Sequence, residues 1–476
     1  MKKIVALLLA VVMLLGLCAC GSTSEKNEDT KAPEQTAAND ASIETEKEAA
    51  PDTITVLAPP VMNDYANYVR TAAEEYVKTH PNITVEVIET TWADHQDKMT
   101  TMCLAGEAPD ISYSETGWLG TYVEMGVGVD LKEYMDADML ADYDEGTLSY
   151  TTLDDTLYAV PLYISIQALG GNKAMLEEAG VDVEKVQSQG WSYDEFLEAI
   201  KNGTKDGTWG FVFANQGITT ADFVNIFGGV AGLTGAFSDE LKYAYTSENM
   251  LNLLKVMEEI TSSGYMPNYT VAAGERLVML QKGETMVTGK AMPLFETNCR
   301  TSTAAVQNGT AEEGFIEMEY VFLPMPTLDG VKANCYGGGG LLVPFRNANT
   351  TDEHLKNVVE FYHYLSSGQC AADVCDAVML PALCESGRKA QENSELVQSE
   401  GNAIASAYCT SILVAPPTGI TAEQSANAET ILNEVIVPKM EALIAGEATA
   451  EEVYKVICNE AFALFGEENC ETGLIG

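Results

Sequence analysis

Ile54-Thr55-Val56-Leu57, Ile83-Thr84-Val85-Glu86-Val87-Ile88 and Asp110-Ile111-Ser112-Tyr113 are three short strand signals in one stretch of chain. The segments between them are helical. Tyr65, Tyr68, Val69, Ala72, Ala73, Tyr76 and Val77 recur at three- and four-residue spacing, a single apolar stripe that stops before Pro81. A second helix is expected over about 93–105, ended by Gly106. Strand, helix, strand, helix, strand implies a parallel sheet with crossover helices, so residues 54–113 fix the class as α/β.

The same grammar continues downstream. Ser192 with Glu195 makes a capping box before a helix to about Lys201. Thr350 with Glu353 is expected to cap a helix whose Leu355, Val358, Val359, Tyr362 and Leu365 share a face. Thr449 with Glu452 caps a final helix ending near Gly466. No internal repeat at a solenoid period is present.

Upstream, Lys2 and Lys3 precede an apolar run from Ile4 to Leu17, the layout of a secretory signal and too short for a membrane span. The run ends in Leu17-Cys18-Ala19-Cys20-Gly21, which resembles the bacterial lipobox. Cys20 fits as the modified residue because the small Ala19 precedes it, whereas Leu17 before Cys18 does not suit cleavage. The alternative is a plain signal with an incidental cysteine. Residues 21–51 hold no aromatic residue and only Ile43 as a large aliphatic, so they cannot offset the entropy of ordering. The expectation is a signal over 1–19 and a lipid-anchored tether over 20–51, with a reach of roughly 30 Å. The resemblance implies a protein held by the lipid on Cys20 to the outer face of the cell membrane.

The 476 residues leave enough chain after the tether for two lobes or domains, and 46% hydrophobic residues can build ordinary cores. The net charge is -45, from 71 acidic and 26 basic residues. Such a surface repels nucleic acid and anionic lipid headgroups, and disfavours a strongly anionic ligand. Outside the lipobox stand nine cysteines: 103, 299, 335, 370, 375, 384, 409, 458 and 470. An odd number leaves at least one unpaired, which suits a reducing habitat better than a disulfide framework. No Cys-x-x-Cys occurs, the four histidines are scattered, and no zinc site or other cofactor site is expected.

Five segments of the body, in order, resemble the extracellular solute-binding proteins of carbohydrate ABC importers, the maltose-binding-protein-like family. They are Pro81 to Val85, Leu104-Ala105-Gly106-Glu107-Ala108-Pro109-Asp110-Ile111 with Trp92 before it, and Leu157 to Leu162. The fourth is Gly171-Asn172-Lys173 through Glu177-Glu178-Ala179-Gly180 to Trp191-Ser192-Tyr193-Asp194-Glu195-Phe196. The fifth is Leu323-Pro324-Met325-Pro326 with glycines 337–340 and the helix at 353–366. The resemblance covers about residues 52–470. Two departures bear on the ligand: Ala168-Leu169-Gly170-Gly171 stands where the family has Tyr-Tyr-Asn, and Gly289-Lys290-Ala291-Met292 leads into Phe295 to Asn298 with no Trp.

The resemblance implies a two-lobed periplasmic-binding-protein-like fold, each lobe a mostly parallel sheet flanked by helices. Lobe 1 is expected over 52–160 and 325–381, lobe 2 over 161–324 and 382–476. Three crossings fall near Val160, Leu323 to Pro326, and Leu380-Pro381, where proline favours an extended chain. It implies a carbohydrate ligand in the cleft, ABC importer permease subunits as partners, and a monomer.

A sugar receptor needs an aromatic platform and paired hydrogen-bonding side chains. The family's site loops fall on Trp92 and Asp94 after the second strand. They also fall on Ser114, Glu115 and Trp118 at the carboxyl edge of the third, where open α/β sheets bind ligands. Tyr163 follows the first crossing, Glu296 and Asn298 replace the missing Trp, and Tyr336 precedes the glycines. Any one of these tryptophans can equally be core; Trp191 and Trp209 are read that way, and Trp118 is favoured as the sugar platform. Gly337 to Gly340 lacks a trailing Gly-Lys-Ser/Thr and reads as backbone passing close to the cleft.

Gly-x-Ser-x-Gly, His-Glu-x-x-His and the Rossmann and Walker glycine patterns are missing, which argues against an enzyme. Asp154-Asp155 could mimic a glycosidase pair, but 71 acidic residues produce such pairs by chance. A receptor for a non-sugar solute, a surface glycosidase and an adhesin remain as alternatives.

Overall fold

The computed structural model describes residues 50–472, apart from 206, 393, 395–397, 415–416 and 418. The expected signal, Cys20 and the tether to residue 49 lie outside the described residues.

Strand β1 (Asp52–Ala58), helix α1 (Tyr65–Tyr76), strand β2 (Ile83–Glu89), helix α2 (Trp92–Ala105) and strand β3 (Ile111–Glu115) open the body. β1 lies between β2 and β3, parallel to both, with Ile54 opposite Val85 and Val56 opposite Ile111. α1 forms because Tyr65, Val69, Ala72, Ala73 and Tyr76 bury one face. The Thr91 hydroxyl caps α2 by accepting from the Asp94 N–H, and Gly106 ends it at φ 74°.

Beyond β3 come a hairpin of β4 (Thr152–Leu153) and β5 (Thr156–Leu157), then β6 (Val160–Asn172), β7 (Trp209–Val212) and β8 (Thr285–Ala291). β9 (Tyr320–Leu323), β10 (Cys335–Pro344) and β11 (Leu413–Val414) complete the strands. The long sheet runs β2-β1-β3-β10-β6-β8-β7, with β9 beside β6 and β11 beside β10. β6 is the seam. Its Val160–Gln167 half pairs antiparallel with β10, and its Leu169–Asn172 end pairs antiparallel with β9 while Ala168, Gly170 and Gly171 face β8. The partner change falls at Gln167/Ala168.

Both sheet portions are mixed, where a mostly parallel arrangement was expected. The β1–β2–β3, β7–β8 and β10–β11 pairs are parallel, while β10 runs against β3 and β6, and β6 against β8 and β9. The cause is connectivity. Parallel neighbours need a crossover connection, and the chain passes from β9 to β10 with no helix between them.

Two expected capping boxes form as reciprocal pairs, Ser192 with Glu195 and Thr449 with Glu452. The third shifts by one residue. Thr351 caps the helix Asp352–Ser366 by accepting from the His354 N–H, because the Thr350 hydroxyl already accepts from the Asn347 N–H at 2.8 Å. Further on, the helix Ala422–Ile431 packs against the helix Leu119–Glu124 (α3). Gly120 allows this contact, since a Cβ there would stand 2.4 Å from the Ser425 Cβ. A π-turn at Leu432–Ile436 then redirects the chain into Val437–Ile444 and Ala450–Phe465, which pack on the helix Glu248–Ser262. These helices therefore link α3 to the helix Glu248–Ser262.

All nine body cysteines are free and buried. No helix among the described residues is long and apolar enough to cross a membrane.

Candidate ligand-binding site

A cavity of about 760 Å³ lies where β10, the turn after β3 and the C-terminal helices meet. Its first wall is Thr116 and Gly117 with the β4–β5 hairpin; its second is Asn225, Thr234 to Phe237 and Tyr245. Tyr336, Gly337 and Gly338 of β10 form the third, and Ser425, Ala428 and Glu429 the fourth.

Local sequence explains each wall. Asp154 and Asp155 take φ 50° and 63°, the left-handed pair that a two-residue hairpin turn demands. Asp154 Oδ2 accepts the Ala422 N–H at 3.2 Å, a carboxylate at a helix N-terminus, and Lys132 Nζ donates to the Asp155 carbonyl at 3.2 Å. These acids serve the turn, not a glycosidase pair. The glycine run is there for close approach: a Cβ on Gly339 would stand 2.7 Å from Thr116 Oγ1, and one on Gly340 2.6 Å from the Tyr163 ring. The Gly339 N–H donates to Thr116 Oγ1 at 3.1 Å, tying β10 to the turn after β3.

A few acidic and phenolic groups stand in a lining that is otherwise largely apolar, with Leu148, Leu153, Phe237 and Leu432 among it. Tyr245 Oη donates to Asn225 Oδ1 at 2.9 Å. Burial holds the Tyr336 hydroxyl well above its usual pKa, and Glu115, Tyr245, Asp222 and Glu429 add to the shift. Glu429 is 8% exposed; its Oε1 accepts from Gln96 Nε2 at 3.1 Å and Asn433 Nδ2 at 2.9 Å. Burial, with a contribution from Glu115, raises its carboxyl to about 7 against those two donors. Glu115 is raised by burial too, opposed by Lys290. Lys290 Nζ sits 3.0 Å and 2.9 Å from the two Asp222 oxygens. Burial lowers the Lys290 ammonium, but Asp222 and Glu115 outweigh it. The left-handed backbone of Lys290, φ 49°, is held by Arg276, which donates to the carbonyls of Gly289 and Lys290 at 3.1 Å each.

Of the nine residues proposed from sequence, Tyr336 lines the cavity and Glu115 adjoins its lining residues Thr116 and Gly117. The other seven are not among its lining residues and make the following contacts. Trp92 and Trp118 pack on His95 with ring centroids 6.0 and 5.8 Å away, and Trp92 Nε1 donates to the Pro60 carbonyl. Asp94 belongs to the cap of α2, its Oδ2 accepting from the Thr91 hydroxyl at 2.8 Å. Ser114 is buried in β3, and the Tyr163 hydroxyl pairs with that of Tyr113 at 2.8 Å. Glu296, 2% exposed, binds Arg300 and accepts the Ser399 N–H at 2.8 Å, fixing the start of the helix Glu400–Ser411. The Asn298 carbonyl accepts from Gln281.

Sequence reasoning missed Tyr245, Asn225 and Glu429. Glu429 had a legible signal. Thr421 with Gln424 is a capping box, and Ser425, Ala428, Glu429 and Leu432 share one face of the helix that follows, a lone acid among small and apolar residues. Tyr245 and Asn225 sit in short 3₁₀ and helical turns with no periodicity to read.

A mixed α/β sheet whose two portions share crossing strands defines a periplasmic-binding-protein-like fold. The chain belongs to the bacterial extracellular solute-binding proteins, whose family model matches residues 71–385. It is similar to a lipoprotein named for the oleD 5' region of Streptomyces antibioticus, 28% identical over 136 residues (29% of this chain, 30% of that one). A binding protein of Brucella abortus (strain 2308) is 30% identical over 114 residues, 24% of this chain and 28% of its own length. The matches thus span less than a third of these relatives. Among solved structures, the GacH receptor of Streptomyces glaucescens, solved unliganded and with acarbose, superposes with TM-score 0.67 at 18% identity, over 87% of this chain and 99% of that one. Maltose-bound MalE3 of T. maritima gives 0.68 at 18% identity, over 87% and 100%.

Proposed function

We propose that the protein is a monomeric receptor that binds a carbohydrate in the cavity, hands it to ABC importer permease subunits, and catalyses nothing. The lipobox at Cys20 supports anchoring to the outer face of the cell membrane through a lipid on that residue. Residues 52–160 with 325–381 and 161–324 with 382–476 are the two lobes that close, with the helix Ala422–Ile431 reaching across from the second to the first.

The wall chemistry of the cavity carries this reading. Tyr336 and Tyr245 line it with aromatic rings that carry polar tips, Asn225 and Glu429 offer acceptors and donors, and the glycines bring backbone to the surface. That combination suits a polyhydroxylated ring with apolar C–H faces. The acarbose-bound GacH receptor and maltose-bound MalE3 support the same class.

A thermal-shift screen over mono- and oligosaccharides, with amino acids and polyamines as controls, tests the proposal. A ligand at a hundredfold its Kd adds about 2.7 kcal/mol of stability. It should also reduce the radius of gyration through hinge closure at constant secondary structure. A response to amino acids or polyamines alone would replace the carbohydrate reading; stabilisation without compaction would remove the closing cleft.

A further inference from the structure

We infer that the cavity selects a ligand carrying a protonated amine, an amino sugar, and that Glu429 is the subsite for that amine. The inference rests on the carbohydrate-receptor reading and names the class of sugar.

Glu429 is more than nine-tenths buried, and both of its hydrogen bonds fall on one oxygen, Oε1. Oε2 has no hydrogen-bond partner among the described residues, and it is not one of the fully enclosed orphan atoms. A methyl group built on Gly117 would stand 3.6 Å from Oε2, and Gly117 and Glu429 both line the cavity. The free oxygen therefore sits at the cavity wall beside the turn that follows Glu115. Gln96 and Asn433 fix the carboxylate plane from outside, so the acceptor is pre-positioned before any ligand arrives.

Glu429 makes no ion pair among the described residues, so its carboxylate is buried without a counter-ion. Glu115 works against its ionisation, which adds to the need for a positive partner. A buried carboxylate with one free oxygen is stabilised by a cation placed at that oxygen. The cations nearby are committed elsewhere. Lys290 spans both oxygens of Asp222, and Lys132 donates to the Asp155 carbonyl. A neutral sugar hydroxyl could bond to Glu429 but would leave its charge unpaired; an ammonium pairs it. Uronates and sugar phosphates face the same buried acid and are disfavoured.

Calorimetric titration of the protein with matched pairs of di- and trisaccharides tests this, each pair differing only in a 2-amino or 2-hydroxy group, at a pH where the amine is protonated. The amino member should bind at least about tenfold tighter. Glu429→Gln keeps the shape and the contacts to Gln96 and Asn433, and should bring the ratio of the two affinities towards one. A merely structural role for Glu429 would weaken both members alike and leave the ratio unchanged. Neutral members that bind as tightly as amino ones overturn the amine subsite and leave the receptor reading standing, and this comparison needs only the unaltered protein. An amino preference that survives Glu429→Gln overturns its assignment to this residue. No binding by any saccharide removes the receptor reading and the inference with it.

Discussion

An aromatic ring can stack on a sugar only through a face that protein has left uncovered. Trp118 packs towards the His95 ring 5.8 Å away, with Leu57, Met99 and Leu119 in the same apolar cluster. Tyr336 lines the cavity. Trp118→Ala should therefore cost about 3 kcal/mol of unfolding free energy and leave the affinity of the folded fraction nearly intact. Tyr336→Ala should do the reverse, weakening ligand about tenfold to a hundredfold with a small change in melting temperature. Denaturant titration and calorimetry on both variants separate the two roles, and a Trp118 variant that loses affinity before stability would return it to the site. Position after a strand suggested Trp118, and the strand does lead to the site, but the turn residues Thr116 and Gly117 reach it first. Which face a ring turns depends on tertiary neighbours such as His95, and sequence spacing carries no record of those.

Elements were legible where they carry their own punctuation. α1 is readable from its stripe and Pro81, α2 from Gly106, and the helices after Ser192 and Thr449 from their caps. The antiparallel placement of β6 and β10 was not legible, because pairing across the seam is decided by long-range register rather than local pattern. Element contacts of this kind can be tested at Gly210 in β7. A Cβ there would lie 1.9 Å from the Ile200 carbonyl oxygen, backbone against backbone, so the strand and the helix Tyr193–Gly203 would have to separate. Gly210→Ala should cost about 3 kcal/mol or more. Gly309→Ala meets nothing within 4 Å and carries only its left-handed φ of 69°, so it should cost about 1 kcal/mol. Equal losses in a urea titration of the two variants would show that β7 yields easily.

On the scale of the whole molecule, His354 joins three distant pieces of chain. Its Nδ1 lies 2.8 Å from Asp52 Oδ1 at the start of β1, and its Nε2 2.9 Å from Asp110 Oδ1 just before β3. Hydrogen bonding to Asp110 raises the imidazole to about 9, against the opposing effect of burial and with further help from Asp52. A histidine raised in the folded state stabilises fully below its unfolded pKa near 6.5, and that stabilisation drains away as pH rises through 9. His354→Asn should cost on the order of 2 kcal/mol at pH 6 and little at pH 10. The raised Glu429 carboxyl is common to both proteins, so its own pH dependence cancels from the difference. Denaturant midpoints at the two pH values decide it; a constant gap would mean that the imidazole contributes shape rather than charge. The nine buried thiols have another consequence. Burial raises the thiols of Cys103, Cys299 and Cys470 to about 11, 12 and 11, so hardly any thiolate is present at neutral pH to meet an alkylating reagent. Each thiol becomes reactive only when its surroundings open. Cys103 sits in α2, Cys335 in β10, Cys375 in the helix Gly368–Ala377 and Cys458 in the helix Ala450–Phe465. The molecule thus carries a set of built-in clocks, and the order in which mass spectrometry finds these sites alkylated is the order in which its parts come undone.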